Sequence, residues 1–240
     1  SAGVDKVFTR IRRTPPGNEF WDNTSWVVND STWVICTATS PWIYPATGLW
    51  DDGRIYDINS RAIDFATNLS GWTTATFRWD STLPRAQLLA PESSWISSLP
   101  TISGTAYDWP SLYPNKSGLK KVEVAIQRLS DNQWYNPAAG FVELSTYWIT
   151  AANYTAEPST VTWYLTGAST PTWVNGTRYF VKCRAFDMSD NESAHSGQNF
   201  TYDASPPTVV ITKPNQAAHN ILPTISGTAN DTAGATAGSV

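Results

Sequence analysis

Nine asparagines of the chain stand in the pattern Asn-x-Ser/Thr: Asn23, Asn29, Asn68, Asn115, Asn153, Asn175, Asn191, Asn199 and Asn230. With 15 asparagines and 54 serines and threonines in 240 residues, chance would supply about three. The chemistry such a pattern serves is glycan transfer to the side-chain amide nitrogen, which implies surface positions in an exported protein. Asn68 and Asn191 also suit a turn, where asparagine is favoured for backbone reasons alone. A second group offers oxygen ligands: Asp64 with Asn68, and Asp187 with Asn191 and nearby Asp190. Calcium takes oxygen donors of this kind, but about six to eight of them, and one Asp plus one Asn per turn falls short. A hydrogen-bonded turn is therefore expected there, and no metal site or cofactor. The two histidines, His195 and His219, do not accompany a nucleophile and an oxyanion hole in any recognisable pattern. No catalytic residue is expected, and the chain reads as a non-enzyme.

Composition narrows the partners. Lys plus Arg number 16 against 20 Asp plus Glu, a net charge of -4, so the basic surplus that drives nucleic-acid binding is missing. No apolar run reaches the roughly 18 residues that cross a bilayer as a helix. Charged residues make up only 15% of the chain, and tryptophan reaches 13. Glycans would explain how so uncharged a surface stays hydrated. Cys36 and Cys183 allow one disulfide at most and have no metal-ligand spacing, so two small buried hydrophobes are the expected reading. Trp21/Trp134, Trp33/Trp148, Trp42/Trp163 and Trp50/Trp173 recur in pairs, which suits a scaffold. Trp72, Trp95 and Trp109 have no aromatic counterpart of their own and are the candidates for stacking on a sugar or on a neighbouring domain.

That pairing comes from an internal repeat, which sets the architecture. Residues 53–108 align without a gap to residues 176–231, with 20 identities in 56 positions. The run LPTISGTA occurs at Leu99–Ala106 and again at Leu222–Ala229. Gly3–Arg13 matches Gly118–Arg128, so the second copy carries about eight extra residues, placed at about 151–170. Alternation such as Val122, Val124, Ile126 against Glu123, Ala125, Gln127 marks strands, and Pro, Gly, Asn and Ser clusters separate them. Strands are expected at about 85–90, 99–107, 119–128, 146–151, 160–166, 177–187 and 197–203. Seven short strands in one period predict an all-β chain of tandem immunoglobulin-like β-sandwiches.

Several motifs also carry a resemblance. A W-x-N hairpin (Trp21-Asp22-Asn23 and Trp134-Tyr135-Asn136), R-A-x-D-x-x-x-N-x-S, F-x-x-D, a proline-led strand and LPTISGTA-x-D together resemble the bacterial immunoglobulin-like repeats of large surface proteins. The resemblance covers nearly the whole chain and implies an extracellular, cell-surface tandem sandwich with structural or adhesive work. In this frame residues 83–205 form one complete domain, residues 1–82 lack their first two strands, and residues 206–240 are two such strands without a sandwich. The expectation is that this tail, through Val209, Val210, Ile211, Leu222, Pro223, Thr224 and Ile225, completes residues 1–82 of the next subunit. Head-to-tail self-association into a fibre would follow, and a continuous repeat chain would give the same string of domains. Between Asp231 and the next Val4 there would be about 12 residues, against 10 between Asp108 and Leu119. The start at Ser1, without Met or an apolar leader, fits a processed product or an expressed segment. A pair of carbohydrate-binding or spacer modules of a larger secreted hydrolase is the alternative function. LPTISG also resembles a cell-wall sorting signal, but its repetition inside a strand region argues for strand sequence.

Overall fold

The computed structural model describes residues 3–14, 16–29, 32–108, 115–154, 160–217 and 220–231. Trp109, His219 and part of the expected insertion at 151–170 lie outside them. Two long strands organise each copy of the repeat. In the first copy these are β1 (Val4–Thr14) and β5 (Arg54–Asp64), accompanied by β2 (Glu19–Trp21), β3 (Trp26–Val27), β4 (Val34–Ile35) and β6 (Thr73–Trp79). They form one sheet in the order β3-β2-β1-β5-β6, with β4 also pairing β1. The second copy contains β7 (Arg85–Ala90), β8 (Trp95–Ile96), β9 (Thr101–Tyr107), β10 (Leu119–Arg128), β11 (Gln133–Asn136), β12 (Gly140–Glu143), β13 (Ile149–Asn153), β14 (Thr160–Thr166), β15 (Thr177–Asp187) and β16 (Ser196–Tyr202). Here β12-β11-β10-β15-β16-β8, joined by β13, faces a second sheet, β14-β9-β7. The tail adds β17 (Thr208–Lys213) and β18 (Ser226–Asn230), which among the described residues pair only with each other.

The repeat in sequence is a repeat in register. Ile11 faces Ile58 across β1 and β5, and their counterparts Ile126 and Val181 face each other across β10 and β15. Both ladders carry a bulge at the same place, Val4/Lys6 and Leu119/Lys121. The recurrent pair Trp50 and Trp173 is scaffold in both copies. Trp173 meets Tyr179 edge-on at 4.9 Å and Trp50 meets Tyr56 at 4.8 Å, while Phe200 and Phe77 stack on those same tyrosines. Each tyrosine hydroxyl is fixed by a backbone N–H, from Val174 at 3.0 Å and from Asp51 at 2.6 Å. A buried aromatic with its polar end satisfied anchors one face of each sheet.

The all-β reading holds throughout: apart from a single 3-10 turn at Gly167–Ser169, the regular structure of the described residues is strand. The expected strand at 146–151 is displaced to Ile149–Asn153, and the one at 99–107 starts at Thr101. The sequence pattern did not separate the two-residue β8, which pairs in parallel with β16. Cys36 and Cys183 are both free and buried. The core of the second copy, from Ile102 through Val124, Trp163 and Val181 to Phe200, fills the space between its two sheets. The first copy has a smaller cluster, built on Ile11, Leu49 and Tyr56.

Candidate assembly interface and junction site

The difference between the two cores lies in what covers them. In the second copy, β9 alternates inward with Ile102 and Ala106 fully buried, and Gly104 lies so close to the Gln87 carbonyl and the Trp163 ring that a Cβ would overlap both. Trp173 ties down the residue ahead of this strand, its Nε1–H donating to the Leu99 carbonyl at 2.9 Å. The first copy has the same receiving surface with nothing on it among the described residues. Trp163 is 1% exposed and its counterpart Trp42 is 40% exposed; Leu119 is 0% and its counterpart Val4 is 44%. Val181, Cys183, Ala185 and Phe200 are buried, whereas Ile58, Ser60, Ala62 and Phe77 are only half-buried.

The hairpin that would fit such a surface is preformed in the tail. Thr208 pairs with Asn230 as Arg85 pairs with Tyr107, and a bulge follows Ile211 as one follows Leu88. Its apolar residues face solvent. Ile225 is 77% exposed where Ile102 is 0%, and Val209, Val210, Ile211 and Leu222 are exposed as well. One expectation needs correction: the second LPTISGTA does not form strand from its first residues. Leu222, Pro223, Thr224 and Ile225 are irregular, and β18 begins at Ser226. The reason is the missing neighbour. Thr101 and Ile102 are held in β9 by pairing with Thr166 and Leu165 of β14, whereas β18 has only β17 beside it. For the same reason the segment around Trp42, the counterpart of β14, forms only an isolated bridge, Thr37 to Ile43.

The second feature lies where the first copy runs into the second. Asp80 follows β6, Asp108 follows β9 and Asp187 ends β15, and ligand-capable carboxylate oxygens of the three lie within 4.8 Å of one another. All three residues are buried. Backbone donors fix the carboxylates in place. Thr82 N donates to Asp80 Oδ1 at 3.1 Å and Ser117 N to its Oδ2 at 2.6 Å. Gly118 N donates to Asp108 Oδ2 at 2.7 Å. Ser189 N and Asn191 N both donate to Asp187 Oδ1 at 2.9 Å. The Asn191 amide ties two copies together, donating to Asp187 Oδ2 at 2.8 Å and to the Asp80 carbonyl at 3.0 Å. Lys116 Nζ donates to the Asp108 backbone carbonyl at 2.9 Å. Asp108 Oδ1 is buried without a hydrogen-bond partner among the described residues.

Unit charges this close repel by about 3 kcal/mol per pair at an effective dielectric of about 20. Burial pushes the Asp108 carboxyl up to about 6, and the charges of Asp80 and Asp187 add to it. Asp187 is raised for the same first reason. The turns expected at Asp64–Asn68 and Asp187–Asn191 are both present: Asp64 Oδ1 accepts from Ala66 N and Asn68 N, and its Oδ2 from the Asn68 amide. Asp80 and Asp108 close the motifs F-x-x-D and LPTISGTA-x-D, and Asp203 and Asp231 hold the same places in the next copy, but the motifs by themselves gave these residues no role. Their recurrence with Asp64 and Asp187 was the available signal.

The sequons divide by geometry. Asn23, Asn29, Asn68, Asn153, Asn199 and Asn230 are exposed. Asn115, Asn175 and Asn191 are half-buried, and the hydroxyl residues that complete their sequons, Ser117, Thr177 and Ser193, are buried. The Asn175 amide donates to Ser205 Oγ at 2.7 Å. A glycan on Asn191 Nδ2 would displace its bonds to Asp187 and Asp80. Among the unpaired tryptophans, Trp72 stacks on Trp33 at 6.1 Å and Trp95 is exposed on β8. His195 contacts Glu192 at 3.0 Å and Trp148 edge-on at 5.1 Å.

No protein-family profile and no curated protein matches the chain. Among solved structures, one neighbour comes from work on host cell surface retention of a 1.5-MDa bacterial ice-binding adhesin, with 13% identity, a TM-score of 0.29 and 88% of this chain covered. Another is the crystal structure of chicken CNTN1 FN1-FN3 domains, at 14% identity, a TM-score of 0.29 and 87% coverage. The chain spans 59% and 62% of the length of those two. The fold assignment therefore stands on the strand pairing itself.

Proposed function

We propose that this chain is a non-catalytic structural module of an extracellular, cell-surface fibre, stalk or adhesin, in which each sandwich is closed by the hairpin that follows the preceding sandwich. The observation that carries this reading is the contrast between one hairpin docked on its sheet and an equivalent hairpin and sheet left apart in the same chain. The occupant that fits the open face of the first copy is β17–β18 of a second copy, in the position β7–β9 takes on the second. Burying Ile225 or Leu222 from solvent contributes about 1.5–3 kcal/mol each, and docking also supplies strand partners to residues 224–225 and to the segment around Trp42. Because donor and acceptor are different surfaces, each copy that accepts one hairpin offers another, and growth is open-ended. The same joint made within one polypeptide gives the same string of sandwiches. Of the exposed sequons, Asn23, Asn29, Asn153, Asn199 and Asn230 are the positions for surface glycans, while the Asn68 amide is taken up by Asp64.

Sedimentation and electron microscopy of the protein test the joint. Concentration-dependent linear oligomers are expected, and Ile225→Asp should abolish them while leaving the melting of the closed second copy unchanged. A wild-type protein that stays monomeric at high concentration, or an Ile225→Asp protein that still assembles, would overturn the reading. Binding to immobilised glycans that is lost on replacing Trp72 or Trp95 would favour the carbohydrate-binding alternative.

A further inference from the structure

We propose that Asp80, Asp108 and Asp187 form a divalent-cation site of the calcium class at the junction between successive repeats. Three buried carboxylates converge within 4.8 Å from three segments: the end of one copy, the docked hairpin, and the last turn of the next copy. Proximity of acids alone would not make a site. The second observation is Asp108 Oδ1, which belongs to a residue 1% exposed and has no hydrogen-bond partner among the described residues. A buried carboxylate oxygen left without a donor is costly unless something positive meets it. Among the described residues, the Lys116 ammonium donates to the Asp108 backbone carbonyl and not to the carboxylate.

The ligand chemistry selects the ion. All donors are oxygens, which suits hard cations. Each carboxylate is already oriented by backbone N–H groups of Thr82, Ser117, Gly118, Ser189 and Asn191, and an oxygen that accepts one such bond keeps a second lone pair for a metal. Calcium tolerates the irregular geometry that such fixed, divergent tethers impose, and magnesium demands a near-ideal octahedron. The remaining ligands would be water and backbone carbonyls.

A cation here links the end of one sandwich to the hairpin and the body of the next, so it stiffens the joint. The internal repeat places Asp203, Asp231 and Asp64 at the corresponding positions of the open joint. On the reading above, those three meet only when the hairpin of one copy docks on another, and assembly would then depend on the same ion.

The test separates the two ideas by using the Ile225→Asp chain, in which assembly is blocked but the first junction is untouched. In chelator-treated protein at neutral pH, titration with calcium, followed by calorimetry and by terbium luminescence, should show one ion bound per chain. A calcium excess of about a hundredfold over the dissociation constant should raise the melting temperature by about 5–10 °C. Asp108→Asn, and independently Asp80→Asn, should weaken binding at least tenfold and remove the shift. Overturning results are no binding at millimolar calcium, or calcium binding and a melting shift that stay unchanged in both variants. Either would mean that the three acids merely repel and share protons.

Discussion

Asp22 illustrates how far local hydrogen bonds control a side chain that water reaches freely. Its carboxylate accepts from Ser25 N at 2.7 Å, Thr24 Oγ1 at 2.8 Å and Thr24 N at 2.9 Å. These donors, Ser25 N–H foremost, lower it from the usual 3.8 to about 2. The turn's stabilisation by the carboxylate is thus present above about pH 3.8 and lost as the pH falls through about 2. A carboxyl-carbon NMR titration should give a midpoint near pH 2, moving up in Thr24→Ala. Cys183 shows the opposite control: burial pushes its thiol up to about 12, and burial raises Cys36 as well. An exposed, ionised thiol reacts and a buried neutral one does not. Thiol reagent at pH 8 should therefore label neither cysteine in the folded protein and both in denaturant. Residue geometry also ranks the sequons. In protein from a glycosylating host, peptide mapping should find sugar at Asn23, Asn29 or Asn153 and none at Asn191, whose amide is committed to Asp187 and Asp80.

At the scale of elements, identical sequence takes different structure according to its neighbours. Thr101-Ile102 and Thr224-Ile225 are the same dipeptide, yet only the first is strand, because β14 pairs with it. Substitutions at the matched positions should therefore differ in consequence. Ile102→Ala removes a fully buried side chain and should cost about 2–5 kcal/mol in the melting of the second copy. Ile225→Ala, at an exposed position, should leave chemical denaturation of the monomer unchanged within about 0.5 kcal/mol. Gly104→Ala should be more damaging than its size suggests, since the added carbon meets the Gln87 carbonyl, which is backbone, as well as the Trp163 ring. Calorimetry reading a loss of about 1–3 kcal/mol would fit that overlap.

For the whole molecule, the repeat period made the all-β sandwich architecture, the approximate strand positions and the two Asp–Asn turns legible in the amino-acid sequence. These depend on alternation and on partners a few residues away, which sequence records directly. Copies that carry the same apolar pattern take equivalent pairings, Ile126 with Val181 and Ile11 with Ile58, but which strands pair was settled by the fold, since these partners lie far apart in the chain. Strand ends were less legible, because pairing decides them. Leu222–Ile225 has the letters of a strand and lacks the neighbour. The junction was least legible. Asp80, Asp108 and Asp187 are far apart in the chain, and each alone reads as a turn or capping residue. Only the closure of the second sandwich against the end of the first brings them within 4.8 Å and shuts water out. The sequence by itself determined the units and their internal order, since those arise from local periodicity. Which surfaces are covered, and which charges are confined together, was decided by tertiary packing, because burial and electrostatic proximity exist only between segments that the fold has brought into contact.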